Sequence, residues 1–185
     1  PTIWLLSFST VCIAAAGYII NDYFDVKIDL VNKPRRVVIG RYLKRRVAIG
    51  THQLLNVTGC LIGLYLSRWV FVIDVVSVSL LWFYSAQLKR QPLIGNVVIS
   101  LLTALSFIVL AVYYRQNAQM LLIYALFSFG ITLIREIIKD MQDVRGDARF
   151  GCRTLPIVWG PNQIPALHPH RVVYYDAVSH RRFPR

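Results

Sequence analysis

Six of the nine acidic residues fall into two short stretches with the same internal spacing. The first is Asn21-Asp22-Tyr23-Phe24-Asp25-Val26-Lys27-Ile28-Asp29 and the second is Asp140-Met141-Gln142-Asp143-Val144-Arg145-Gly146-Asp147. In both, the second aspartate follows three residues after the first, and the third follows four residues later. On a helix these positions share one face. Each set is therefore a stripe of carboxylates, and Glu136 lies one turn before the second. Carboxylates a turn apart repel one another, so such a stripe needs a counter-charge. Oxygen-only donor sets suit hard divalent cations, and Mg²⁺ takes one or two carboxylates together with waters and phosphate oxygens. Two stripes on one side of the molecule could hold two or more Mg²⁺ facing each other across a cavity. The plainer alternative is a solvated helix end paired with nearby lysine and arginine. It accounts for one stripe about as well, but much less well for two of identical spacing.

Basic residues fall near the same stretches. Arg36 and Arg41 follow the first stripe, and Lys89 and Arg90 stand together between the two. Acidic and basic groups in one place suit a diphosphate, with metal bridging some oxygens to aspartates while lysine and arginine hold others directly. Taken alone, Lys89 and Arg90 would serve equally well as membrane-topology anchors. The chain also has ten Tyr, nine Phe and four Trp. Many fit an interfacial belt or a core, and some could line an apolar slot or stabilise a cation by their faces.

The elements that must position these residues are written in the hydropathy. The chain is 56% hydrophobic and only 16% charged, below the roughly 25% charge of ordinary soluble domains. Its apolar residues form runs near 1–20, 47–66, 69–86, 93–114 and 118–134, each close to the roughly 20 residues that cross a bilayer. No period-2 alternation marks them as strands. Lipid admits only helices or closed barrels, so the expected fold class is an all-α polytopic transmembrane bundle of five spans. The second run contains His52 and the third Asp74, which is expected either near a membrane face or paired. The intervening segments 21–46, 87–92 and 135–153 carry 15 basic residues, while 67–68 and 115–117 carry two. By the positive-inside rule the first group is cytoplasmic, and both stripes then face the cytoplasm. This arrangement makes the chain an integral, multi-pass membrane protein, in the inner membrane if the cell is bacterial. It also explains the net charge of +12 without nucleic acid, since the cations sit at span ends where they meet anionic headgroups. Cys12, Cys60 and Cys152 have no metal-ligand spacing. The first run lacks the basic flank of a signal peptide. Residues 161–185 are rich in proline and histidine and read as a basic, disordered tail or as sequence foreign to the domain at 1–160.

With these residues in hand, the chain resembles the UbiA superfamily of intramembrane prenyltransferases. The first signature of that family is similar to Asn21, Asp22, Asp25 and Asp29, continuing through Asn32, Pro34 and Arg36. The second is similar to Asp143 and Asp147, with Asp140 a turn earlier. Tyr84, Ser85, Lys89, Arg90 and Asn96 resemble the motif between them, and Gly151-Cys152-Arg153-Thr154-Leu155-Pro156 the segment after them. Within the family the wording is most similar to the geranylgeranylglycerol-phosphate geranylgeranyltransferase branch.

The resemblance implies transfer of a prenyl group from a prenyl diphosphate to a membrane-associated acceptor, either a lipid glycerol phosphate or an aromatic ring. It implies Mg²⁺ held by Asp22, Asp25, Asp29, Asp143 and Asp147, with Asp140 assisting. Diphosphate oxygens would be bound by Asn21, Arg36, Lys89 and Arg90, and Tyr84 would lie near the reacting carbon. It also implies about nine helices. One is expected before Pro1 and two or three after Gly160, as in a fragment or after a reading-frame change near residue 160. Two other readings follow from the same residues. One is a truncated, non-catalytic membrane protein that keeps metal or diphosphate binding. The other is a cation transporter, which the position of the aspartates at helix ends rather than at the midplane disfavours.

Overall fold

The computed structural model describes residues 2–115 and 118–159. The five apolar runs are five long helices: α1 (Thr2–Asn32), α2 (Arg45–Leu66), α3 (Arg68–Ala86), α4 (Ile94–Tyr114) and α5 (Ala118–Arg149). A short α6 (Leu155–Trp159) follows. All five long helices have the length and hydropathy to cross a membrane. Their outward faces carry large apolar side chains such as Trp4, Tyr65, Leu126 and Phe127, as a lipid-facing surface requires. The protein is an all-α, multi-pass membrane protein.

Length separates α1 and α5 from the rest. About 20 helical residues cover the hydrocarbon thickness, yet α1 has 31 residues and α5 has 32. Each has roughly three further turns, and the polar residues lie in those turns. Short connections force antiparallel neighbours: Ser67 alone joins α2 to α3, and its side chain accepts from Trp69 N at 3.3 Å. Helices α1, α3 and α5 therefore run in one direction, and the extensions of α1 and α5 emerge at the same end. There α1 stops at Asn32, two residues before Pro34, whose ring disfavours helical backbone at the preceding residue.

Helix α1 packs along α2 and α3, α4 packs along α5 and α3, and the C-terminal ends of α1 and α5 meet. Without a hydrophobic drive between helices in lipid, close approach depends on small residues. Gly17 of α1 faces Leu81 of α3, Gly59 of α2 faces Ser9 and Ile13 of α1, and Gly63 of α2 faces the Asp74 carboxyl of α3. His52 is buried between α1 and α2. Its Nδ1 lies 2.9 Å from Ala16 O, and its Nε2 lies 3.1 Å from Asn56 Nδ2. A carbonyl can only accept, so the ring proton sits on Nδ1 and Nε2 accepts from the amide. Residues 161–185, expected to form a distinct tail, lie outside the described residues.

Candidate active site

The two projecting turns, with the 3₁₀ turn Leu88–Arg90 between α3 and α4, enclose a polar cavity of 460 Å³. The carboxylate stripes Asp22, Asp25, Asp29 and Asp140, Asp143, Asp147 both border it. So do Asn21, Arg36, Tyr84, Lys89 and Arg90. Every site residue read from the sequence thus borders one space, drawn from segments more than 100 positions apart. Exposure differs along the first stripe: Asp22 is exposed at the rim, whereas Asp25 and Asp29 are half-buried.

Ion pairs and amides fix this geometry. Lys89 Nζ lies 2.7 Å from Asp25 Oδ1 and donates to Asn21 Oδ1 at 3.1 Å. Lys33 Nζ lies 2.7 Å from Asp143 Oδ2, so a cation from the end of α1 reaches the second stripe. Asn96 Nδ2 donates to Asp140 Oδ2 at 2.8 Å. Asn32 clasps α5 with both ends of its amide: Nδ2 donates to Asp143 O at 3.1 Å, and Gly146 N donates to Oδ1 at 2.7 Å. A side chain at 146 would occupy the position of that amide. Beyond α5, Cys152 N donates to Asp147 O at 2.9 Å and Arg153 N to Arg90 O at 2.8 Å, which ties the returning chain to the 3₁₀ turn.

The electrostatics follow from burial. Desolvation, then the charges of Asp140 and Asp143, push the Asp147 carboxyl up to about 7. Burial pulls the Lys89 ammonium below its ordinary value, against the opposing pull of Asp25. Among the described residues, no three Asp, Glu, His or Cys side chains converge as a self-sufficient metal cage. Mg²⁺ does not require one, since it keeps waters and shares phosphate oxygens. Six carboxylates around one polar cavity, two of them already neutralised by lysine, fit metal that arrives with or bridges to a phosphate group.

Of the residues that connect this cavity to a deeper one, sequence reasoning found Asn21 and Tyr84 but missed Tyr18, Arg135 and Lys139. A second cavity of 370 Å³ runs between α1, α3, α4 and α5. The two share Tyr18, Asn21, Tyr84, Arg135 and Lys139. From the sequence, Arg135 and Lys139 were only topology charges. They belong to the same face as the second stripe, because 135, 139, 143 and 147 recur at four-residue intervals, and that spacing was the available signal. Glu136 holds both cations, at 2.6 Å from Arg135 Nη1 and 3.5 Å from Lys139 Nζ. Tyr84 is buried where the cavities meet.

Comparison with known proteins agrees with this geometry. Residues 1–175 match the UbiA prenyltransferase family. The chain is 36% identical over 147 residues to a digeranylgeranylglyceryl phosphate synthase of Sulfurisphaera tokodaii, covering 78% of this chain and 53% of that protein. It is 39% identical over 145 residues to the enzyme of the same name from Methanothermobacter thermautotrophicus, covering 78% and 51%. A solved structure concerning digeranylgeranylglyceryl phosphate synthase in membranes superposes with a TM-score of 0.71 at 31% identity, over 86% of this chain and 57% of that one. The chain thus spans about half the length of the relatives it matches. With paired aspartate stripes at the ends of membrane-spanning helices and this similarity along most of its length, the chain belongs to the UbiA prenyltransferase family.

Proposed function

We propose that the protein transfers a prenyl group from a prenyl diphosphate to a lipid glycerol phosphate, releasing diphosphate. The observation that carries this reading is the junction of a polar, carboxylate-lined cavity with an apolar one at Tyr84, Arg135 and Lys139. An amphipathic donor has a charged head and a hydrocarbon tail, and only a site with both environments end to end accommodates it. The lipid acceptor is favoured over an aromatic ring by the names of the relatives.

The diphosphate occupies the polar cavity, where Asn21, Arg36, Lys89 and Arg90 hold its oxygens. Asp22, Asp25, Asp29, Asp143 and Asp147, with Asp140, would hold Mg²⁺, which would supply positive charge to offset that left on the departing diphosphate when the allylic C–O bond breaks. Lys139 and Arg135 stand at the junction, where the bridging oxygen takes up the bond's electron pair. Tyr84 borders the same junction, and its ring would offer a π-face to the allylic cation. An acceptor hydroxyl then forms the new C–O bond and gives up its proton. Both stripes face the cytoplasm in this reading, where water-soluble diphosphate can leave.

The test is binding of geranylgeranyl diphosphate to the purified chain with and without Mg²⁺, for wild type, Asp25→Asn and Asp143→Asn. Mg²⁺-dependent binding that weakens roughly 10- to 100-fold in each variant is expected, the order for losing one charge-assisted contact. Binding that ignores Mg²⁺ and both substitutions would sink the reading. Mg²⁺-dependent binding without turnover on any glycerol phosphate lipid would favour the non-catalytic alternative.

A further inference from the structure

The apolar cavity has a closed far end. Its walls run from Asn21 to Thr10 on α1, from Tyr84 to Ile73 on α3 and from Ile99 to Val109 on α4. Each wall covers eleven or twelve residues, about 15–17 Å at the helical rise of roughly 1.5 Å per residue. At that end Val109 packs against Leu6 and Val70, which lie one turn further on, in a tightly buried cluster, with Leu6 and Val70 at most 1% exposed.

At this floor stands Asp74, an acidic residue that the proposed chemistry leaves unused. It is buried and has no cation within salt-bridge distance among the described residues. Ser9 Oγ contacts both Gly59 O at 2.8 Å and Asp74 Oδ2 at 3.0 Å. A hydroxyl has one hydrogen. The carbonyl can only accept, so Ser9 donates to Gly59 and the contact with Asp74 needs a hydrogen from the acid. Asp74 is therefore a neutral carboxylic acid donating to Ser9, as suits a group in an apolar environment far from any counter-ion. Gly63, in the run Gly59-Cys60-Leu61-Ile62-Gly63, leaves room for that carboxyl, since a side chain there would overlap it. Three helices are thus knotted at one depth by one hydrogen-bonded chain.

We infer that the Asp74–Ser9–Gly59 knot, backed by Val70 and Val109, is a floor that sets the longest prenyl tail the site accepts. This rests on the prenyl-diphosphate reading and adds a specificity determinant to it. An extended isoprene unit is roughly 5 Å long, at carbon–carbon bonds of about 1.5 Å. Three units span the slot extended, a fourth fits with a bend, and a fifth meets the floor.

The experiment measures Mg²⁺-dependent affinity of the full chain for inorganic diphosphate and for prenyl diphosphates of two to five isoprene units. Affinity is expected to rise to four units and to fall about tenfold at five, the order for forcing extra carbons into a packed site. Asp74→Ala and, independently, Val109→Ala deepen the slot and should move the cut-off to five units or more. Asp74→Asn keeps an N–H to donate to Ser9 and should keep the wild-type cut-off. A wild type that binds five units as tightly as four overturns the floor, and so does an unchanged cut-off in folded Asp74→Ala and Val109→Ala proteins. If inorganic diphosphate and every prenyl diphosphate fail to bind with Mg²⁺, the underlying reading fails as well, and the two failures are thereby told apart.

Discussion

Asp147 is the site carboxylate whose surroundings most change its chemistry. Its pKa moves from 3.8 to about 7 because it is buried and faces Asp140 and Asp143. The native state therefore holds this proton more tightly than the unfolded chain does. The stability linked to it is fully present below about pH 4 and is lost as pH rises through about 7. A bound divalent cation competes with the proton and reverses the sign. Thermal unfolding of detergent-solubilised protein should show a midpoint that falls from pH 5 to pH 8 without Mg²⁺. Stabilisation by Mg²⁺ should be larger at pH 8 than at pH 5, and Asp147→Asn should flatten both dependences. Lys139 allows a second test at this scale. It borders both cavities, so Lys139→Met should weaken geranylgeranyl diphosphate binding by roughly 10-fold or more, the cost of a lost charge-assisted contact. Replacing the exposed Arg46 in the same way should leave binding unchanged. Isothermal titration separates the two.

At the scale of elements, the site depends on two helices that outrun the membrane and on the clasp joining them. Asn32 at the end of α1 bonds both Asp143 O and Gly146 N of α5, and the two stripes face each other because of it. A side chain at 146 would overlap the Asn32 amide, whereas one at Gly130, in the same helix, meets nothing within 4 Å. Gly146→Val should therefore cost about 1–3 kcal/mol by overpacking and weaken diphosphate binding as well. Gly130→Ala should be neutral or stabilise by up to about 1 kcal/mol through helix propensity alone. Denaturant titration in mixed micelles compares the two directly. The contrast also explains what the sequence showed of α5. Its acidic spacing was legible, but its length was not, because residues 135–149 are charged enough to read as a loop. They are helical because the α1–α5 contact, and not lipid, packs them.

For the whole molecule, the alternation of five spans puts the 33–44 connection at the same end as the carboxylate cavity and Ser67 at the other. If the basic segments are cytoplasmic, a cysteine at Lys44 should resist a membrane-impermeant maleimide added outside intact cells, and a cysteine at Ser67 should react. The opposite pattern would invert the molecule and move diphosphate release to the outer face. In either orientation the polar cavity opens at one membrane surface while the apolar cavity lies within the bilayer depth. The site thus spans the same boundary as an amphipathic donor.

The sequence by itself determined the helical class, the number of spans and the two carboxylate stripes. Those properties follow from local rules: a bilayer requires about 20 apolar residues per span, and a helix brings residues three and four apart onto one face. Asp22, Asp25 and Asp29 had to form a stripe wherever the rest of the chain went. Only the tertiary structure decided what the stripes face and what lies beneath them. The pairing of Lys33 with Asp143, the place of Arg135 and Lys139 at the junction of two cavities, and the closure of the apolar slot at Asp74 each join residues from separate helices. In lipid, burial favours no one helix face over another as it does in water. Partners are chosen by close fit at glycines such as Gly59, Gly63 and Gly146 and by a few buried hydrogen bonds, and neither can be read from hydropathy or spacing along one strand of sequence.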